Sequence, residues 1–91
     1  TQVLFVNFGE TEADYCLKAL RDLRKAGINS ELYPDTAKMK KQMTYANKKG
    51  IPYVVLVGED EMSSGLLTVK NMNDGTQSNL SSIDLIKKLK A

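Results

Sequence analysis

The chain has no histidine, no tryptophan, a single cysteine and only two prolines in 91 residues. Each shortage removes chemistry. Without histidine there is no imidazole general base, no Ser-His-Asp or Cys-His pair, and no histidine-ligated zinc. One cysteine closes no internal disulfide and makes no CxxC site. No apolar run approaches the ~20 residues of a membrane-spanning helix. The chain opens on a strand-like run rather than on a signal peptide. The glycines form neither a GxGxxG pattern nor a phosphate-binding loop. What remains is ordinary for one globular domain: 42% hydrophobic and 26% charged residues. The first residue is Thr rather than Met, so a fragment of a longer protein is expected, with any catalytic machinery elsewhere in the parent.

Hydrophobic periodicity organises the chain. Val3 to Phe8 is apolar, with Asn7 its only polar member, and reads as a strand buried on both faces and stopped by Gly9. Thr11 to Asp14 resembles a capping box. The helix after it places Ala13, Cys16, Leu17, Leu20 and Leu23 on one stripe. Gly27 is a helix stop, and residues 28–33 form a short second strand before Pro34-Asp35. Residues 37–49 predict a second helix with Met39, Met43 and Ala46 inward and Gly50 closing it. Residues 51–57 are a run of strand formers covered on both faces. Gly58 to Glu61 reads as an acidic turn. Residues 66–72 are a fourth strand, Asn73-Asp74-Gly75 a hairpin signal, and residues 76–79 a fifth strand. Ser81 to Asp84 offers another cap, before a helix with Leu85, Ile86 and Leu89 inward. The order β-α-β-α-β-β-β-α predicts an α/β domain of three layers, with three helices and a mixed five-stranded sheet.

The net charge of +2 conceals a pattern. Residues 36–50 carry five lysines and no acid; residues 51–65 carry three acids and no base. At 100° per residue, Lys38, Lys41, Tyr45 and Lys48 share one arc of the second helix, with Gln42 and Lys49 on its border. A basic face carrying one aromatic suits a phosphate backbone and an unpaired base. It is also what a plain solvated face looks like. The acidic turn lacks EF-hand spacing. It follows the central strand, at the carboxyl edge of the sheet where ligands bind in α/β folds. There Glu59 and Glu61 are placed to accept hydrogen bonds from base edges. Asn7 sits near the same edge, and is equally a strand-end turn former. Cys16, on the apolar stripe, reads as a buried structural thiol.

Three ordered stretches carry a resemblance: residues 39–50 (Met-Lys-Lys-Gln-Met-Thr-Tyr-Ala-Asn-Lys-Lys-Gly), residues 57–62 (Val-Gly-Glu-Asp-Glu-Met), and residues 65–77, ending in Asn73-Asp74-Gly75-Thr76-Gln77. Together with Gly9-Glu10, Ala26-Gly27-Ile28 and Tyr33, they resemble the C-terminal anticodon-binding domain of class II aminoacyl-tRNA synthetases. The likeness spans the chain and is greatest to the histidyl branch. Threonyl- and prolyl-type relatives carry arginines where this chain has Lys70, Asn71 and Met72.

The resemblance implies a module that binds the anticodon stem-loop of a tRNA, expected to be the histidine acceptor with anticodon GUG. RNA contacts are then expected from Asn7, Lys38, Lys41, Gln42, Tyr45, Lys48, Glu59, Glu61 and Lys70. It also implies a cytoplasmic, homodimeric parent whose missing catalytic domain uses ATP and Mg. The fragment itself is expected to be a monomer without catalysis, cofactor or metal. Two rivals stand beside this reading. One is a synthetase-like interaction module of a regulatory protein that no longer charges tRNA. The other is a small-molecule domain using the carboxyl-edge crevice, for which no phosphate loop speaks.

Overall fold

The computed structural model describes residues 2–6, 10–33 and 39–90, and for Glu10, Met39 and Glu59 their backbone. The elements are β1 (Val3–Phe5), α1 (Glu10–Lys25), β2 (Ser30–Leu32), α2 (Met39–Lys48), β3 (Tyr53–Leu56), α3 (Glu59–Ser64), β4 (Leu67–Asn71), β5 (Gln77–Leu80) and α4 (Ser82–Lys90). They build a five-stranded mixed sheet in the order β2-β1-β3-β4-β5. β1 pairs in parallel with β2 and β3, while β4 runs antiparallel to both β3 and β5.

The apolar alternation of β1 explains the layers. Val3 and Phe5 point into one core with Cys16, Leu20 and Leu23 of α1 and Leu85 of α4. Leu4 and Val6 point into the other, with Tyr33, Ala46 of α2, Ile51 and Val54. All four side chains from Val3 to Val6 are fully buried, as a central strand covered on both faces requires. Helices α1 and α4 therefore form one layer and α2 the other.

Two helix ends show how the chain is punctuated. At Gly27 (φ +85°) and Gly50 (φ +68°) the backbone enters the left-handed region. The amide of Ile28 then donates to Leu23 O, and that of Ile51 to Ala46 O. These six-to-one bonds are the Schellman stop, which glycine allows without a Cβ penalty. The hairpin between β4 and β5 also follows its local chemistry. Asp74 Oδ1 accepts from the Thr76 amide (2.9 Å) and hydroxyl (2.7 Å). These bonds hold its carboxyl below the usual carboxylate range.

Four expectations need correction. Among the described residues there are four helices rather than three, because the acidic segment after Gly58 is the helix α3. Helix α1 starts at Glu10, so Thr11 lies inside it rather than capping it. Leu17 is 41% exposed, because the buried stripe is Cys16, Ala19, Leu20 and Leu23, and Leu17 sits on its flank. Helix α2 is turned about its axis. Gln42 is fully buried beside Ala46, whereas Met43 is only half-buried.

Cys16 is buried and free. Burial, with Glu12 adding to it, pushes its thiol from 9.0 to about 12. At pH 8 that difference of three pK units leaves about a thousandfold less thiolate than an ordinary cysteine has. A disulfide reagent is therefore expected to modify the native chain orders of magnitude more slowly than the urea-unfolded chain; equal rates would contradict the burial. The sign also predicts lower stability at high pH. The unfolded thiol ionises above pH 9 while the folded one holds its proton up to about 12.

Candidate nucleic-acid interface

The parallel strands fix the poles of the domain. Helix α2 enters from the carboxyl ends of β1 and β2 and runs back to the start of β3, so Lys40 and Lys41 lie at the carboxyl pole. Lys48 and Lys49 lie at the opposite pole. Helix α3 begins directly after β3, again at the carboxyl pole. The starts of the basic helix and of the acidic helix thus both lie at the carboxyl pole, with α3 packed through Met62 on the α1 and α4 side of the sheet and α2 on the other side.

Lys40, Lys41, Lys48 and Lys49 are all exposed. Lys41 and Lys48 are seven residues apart, two turns or about 10 Å along one face. Gln42 does not join them. It is fully buried and already engaged in an interaction of its own, so its side chain is not part of the exposed basic face. Among the described residues no buried side-chain nitrogen or oxygen lacks a partner, as a buried amide requires.

Tyr45 is half-buried on the border of the basic face. Its hydroxyl donates to Glu31 Oε1 at 3.2 Å. Its ring meets Tyr33 edge-on, with centroids 5.3 Å apart at 83°. Lys49 Nζ lies 6.0 Å from its centroid, a cation–π distance. Partial burial and the Glu31 carboxylate raise its phenol pKa. The ring is thus oriented by protein groups rather than standing free.

Glu61 is also occupied. Its Oε1 accepts the Gly58 amide at 2.8 Å, the return half of a capping box whose other half glycine cannot supply. Acids at the first positions of α3 complement the positive end of its dipole. From the far side, the Tyr15 hydroxyl lies 3.2 Å from Glu61 O and 3.3 Å from Leu66 O. Burial first, then Cys16 and Glu61, raise the Tyr15 pKa. The backbone of Glu59 opens α3; its side chain, like Asn7 and Lys38, lies outside the described residues.

Lys70 lies on β4 opposite Val54. Because Leu67 and Val69 enter the core beneath α1 and α4, Thr68 and Lys70 project from the other face of the sheet. Gln77 and Asn79, their partners on β5, project the same way. No described residue of β4 or β5 is buried in the core beneath α2. Helix α2 therefore covers only the β2-β1-β3 half of its face, and the β4-β5 half is an open polar strip. Of this strip the sequence reading singled out Lys70 alone. The alternation Leu67-Thr68-Val69-Lys70 was the available signal for Thr68. Among the described residues no group of three potential metal-ligating side chains exists. No helix among them is long and apolar enough to cross a membrane.

The family model described as "Anticodon binding domain" matches residues 2–91. The chain is 55% identical over 91 residues to the histidine–tRNA ligase of Phocaeicola vulgatus, covering all of this chain and 20% of that protein. It thus spans about a fifth of the length of the curated relatives it matches. Its fold superposes on the crystal structure of histidyl-tRNA synthetase from Nostoc sp. PCC 7120 with a TM-score of 0.92 at 30% identity, over 99% of this chain and 22% of that one. The RNA binding domain of threonyl-tRNA synthetase from Cryptosporidium parvum shares the fold, with a TM-score of 0.90 at 20% identity, over 98% of this chain and 22% of that one.

Proposed function

The chain belongs to the family of anticodon-binding domains, and on that premise we propose that it is the part of a histidine–tRNA ligase that grips the anticodon loop of the histidine acceptor tRNA. The observation that supports the reading is the combination of exposed lysines on α2, an acidic helix start after β3 at the carboxyl ends of the strands, and an open polar strip on β4 and β5. A polyanion with unpaired bases needs those three things: cations for phosphates, acceptors for base amino and imino groups, and uncovered surface.

In this proposal Lys41 and Lys48, with Lys38, hold phosphates and set the register without reading sequence. Tyr45, its tilt fixed by Glu31 and Tyr33, presents the remainder of its ring to a base. Glu59 reads a guanine edge, and Glu61 does so through the oxygen that Gly58 leaves unused. Lys70 supplies a donor from the strip, and Asn7 joins from the end of the first strand. Gln42 contributes by fixing the helix rather than by contact. ATP and Mg, the charging reaction and the dimer contacts belong to the rest of the parent, which works in the cytoplasm.

Titration with stem-loop RNAs tests this. The GUG loop is expected to bind more tightly than loops with altered anticodon bases. Lys41→Ala is expected to flatten the log–log salt slope by about one, and Glu59→Ala to reduce the preference for guanine. A chain that binds every loop equally would be a general RNA or protein module, and the anticodon reading would fall.

A further inference from the structure

The open strip contains an oriented amide. Thr68 and Asn79 face each other across β4 and β5, and the Thr68 hydroxyl donates to Asn79 Oδ1 at 3.0 Å. Thr68 is half-buried and Asn79 is exposed. An asparagine amide has one oxygen acceptor and two N–H donors. Spending the oxygen on Thr68 directs the Nδ2 donors outward, onto a face that none of the described helices covers.

Position makes this amide useful. Thr68 also pairs with Leu56 of β3, the last residue of its strand, and α3 begins three residues later. Strands lie about 4.8 Å apart, so Asn79 stands about 10 Å from β3, near the span of one base. Lys70 and its partner Gln77 lie one step further from the carboxyl pole. The Thr68–Asn79 pair is thus the member of the strip nearest the carboxyl pole.

We propose that Asn79, oriented by Thr68, is a base-reading residue whose Nδ2 donates to the carbonyl oxygen of an unpaired anticodon base. Thr68 is its positioning residue. The assignment rests on the anticodon-loop reading above and extends it to a residue and a base atom. The O4 of uracil and the O6 of guanine are such oxygens; cytosine has an amino group in place of O4, and 2-aminopurine has no O6.

The test uses the 91-residue chain and three kinds of stem-loop: GUG, GCG, and GUG with one guanine replaced by 2-aminopurine. Asn79→Asp keeps the shape and the oxygen that Thr68 holds but replaces the donor by an acceptor. It is expected to weaken GUG binding by about tenfold. For one of the altered loops the penalty seen with the native chain should largely vanish, since the lost donor and the lost carbonyl are the same interaction. Thr68→Val frees the amide to turn and is expected to lose several-fold affinity and part of the same discrimination. Unchanged midpoints of thermal unfolding separate these effects from misfolding.

If Asn79→Asp binds all three loops as the native chain does, or weakens all three equally, Asn79 is not a reader and the proposal is overturned while the anticodon reading stands. If the native chain itself does not distinguish GUG from the altered loops, both fall together.

Discussion

Phe5→Ala is expected to destabilise the domain by about 3–5 kcal/mol. Phe5 is fully buried, lies on the central strand between Leu32 and Val55, and packs in the core beneath α1 and α4. A chain of this size carries roughly 5–14 kcal/mol in all, so the loss is about a fifth of its stability or more. At about 4–8 °C per kcal/mol the thermal midpoint should fall by more than ~12 °C. Urea unfolding provides the check. The midpoint should drop with an unchanged slope, and a shift equivalent to less than about 1 kcal/mol would show that the void closes or that Phe5 is not the keystone assigned here. Phe5 points away from α2, so anticodon-loop affinity at low temperature, where the variant is still folded, should stay near the native value.

Reversing two charges on the opposite layer should do the converse. Lys41→Glu with Lys48→Glu changes only exposed positions of α2, so the fold should survive with a small change in stability. Each charge-assisted phosphate contact is worth about 1.5 kcal/mol or more, roughly a factor of ten in affinity. Losing two and adding two repulsions is therefore expected to cost at least ~100-fold at 0.1 M salt. Raising salt should narrow the gap between native and variant chains, because screening weakens attraction and repulsion alike. A double variant that binds the GUG loop within a fewfold of the native chain would remove α2 from the interface.

These two layers were not equally legible. Residues 3–8, Asn7 excepted, and residues 51–57 read as strands covered on both faces because their apolar character is almost unbroken, and Val3 to Val6, Val54, Val55 and Val57 are fully buried. The ends of α1 and α2 were legible at Gly27 and Gly50 for a similarly local reason: only glycine enters the left-handed region without cost. The Asn73-Asp74-Gly75 hairpin was legible from its own turn chemistry. The clustering of five lysines ahead of three acids was visible as a run of charge. The resemblance to anticodon-binding domains rested on the order of these same short stretches, and the family match across residues 2–91 bears it out.

Gln42 shows where that reading stopped. A helical wheel locates the apolar side of α2, but the exact rotation depends on what the sheet below presents. Turned as observed, the helix places small Ala46 and the partnered amide of Gln42 against the sheet and leaves Met43 half out. Tyr45 moved to the border in the same rotation and found Glu31 and Tyr33, residues 14 and 12 positions away in the chain. The acidic segment behaved likewise. Glu-Asp-Glu after Gly58 could be a turn or a first helical turn, and contact of Met62 with the core and of Tyr15 with Glu61 O settled it as a helix.

The sequence by itself determined the alternation of strands and helices, the both-sided burial of the central strands and the separation of positive from negative charge, since each is a property of neighbouring residues along one element. Only the tertiary structure decided that the basic and acidic helices lie on opposite sides of the sheet, which polar groups are already spent on the protein, and that the described helices leave half of one sheet face uncovered beside Thr68 and Asn79. Those are contacts between elements far apart in the chain, and their energies depend on distances that no local pattern specifies.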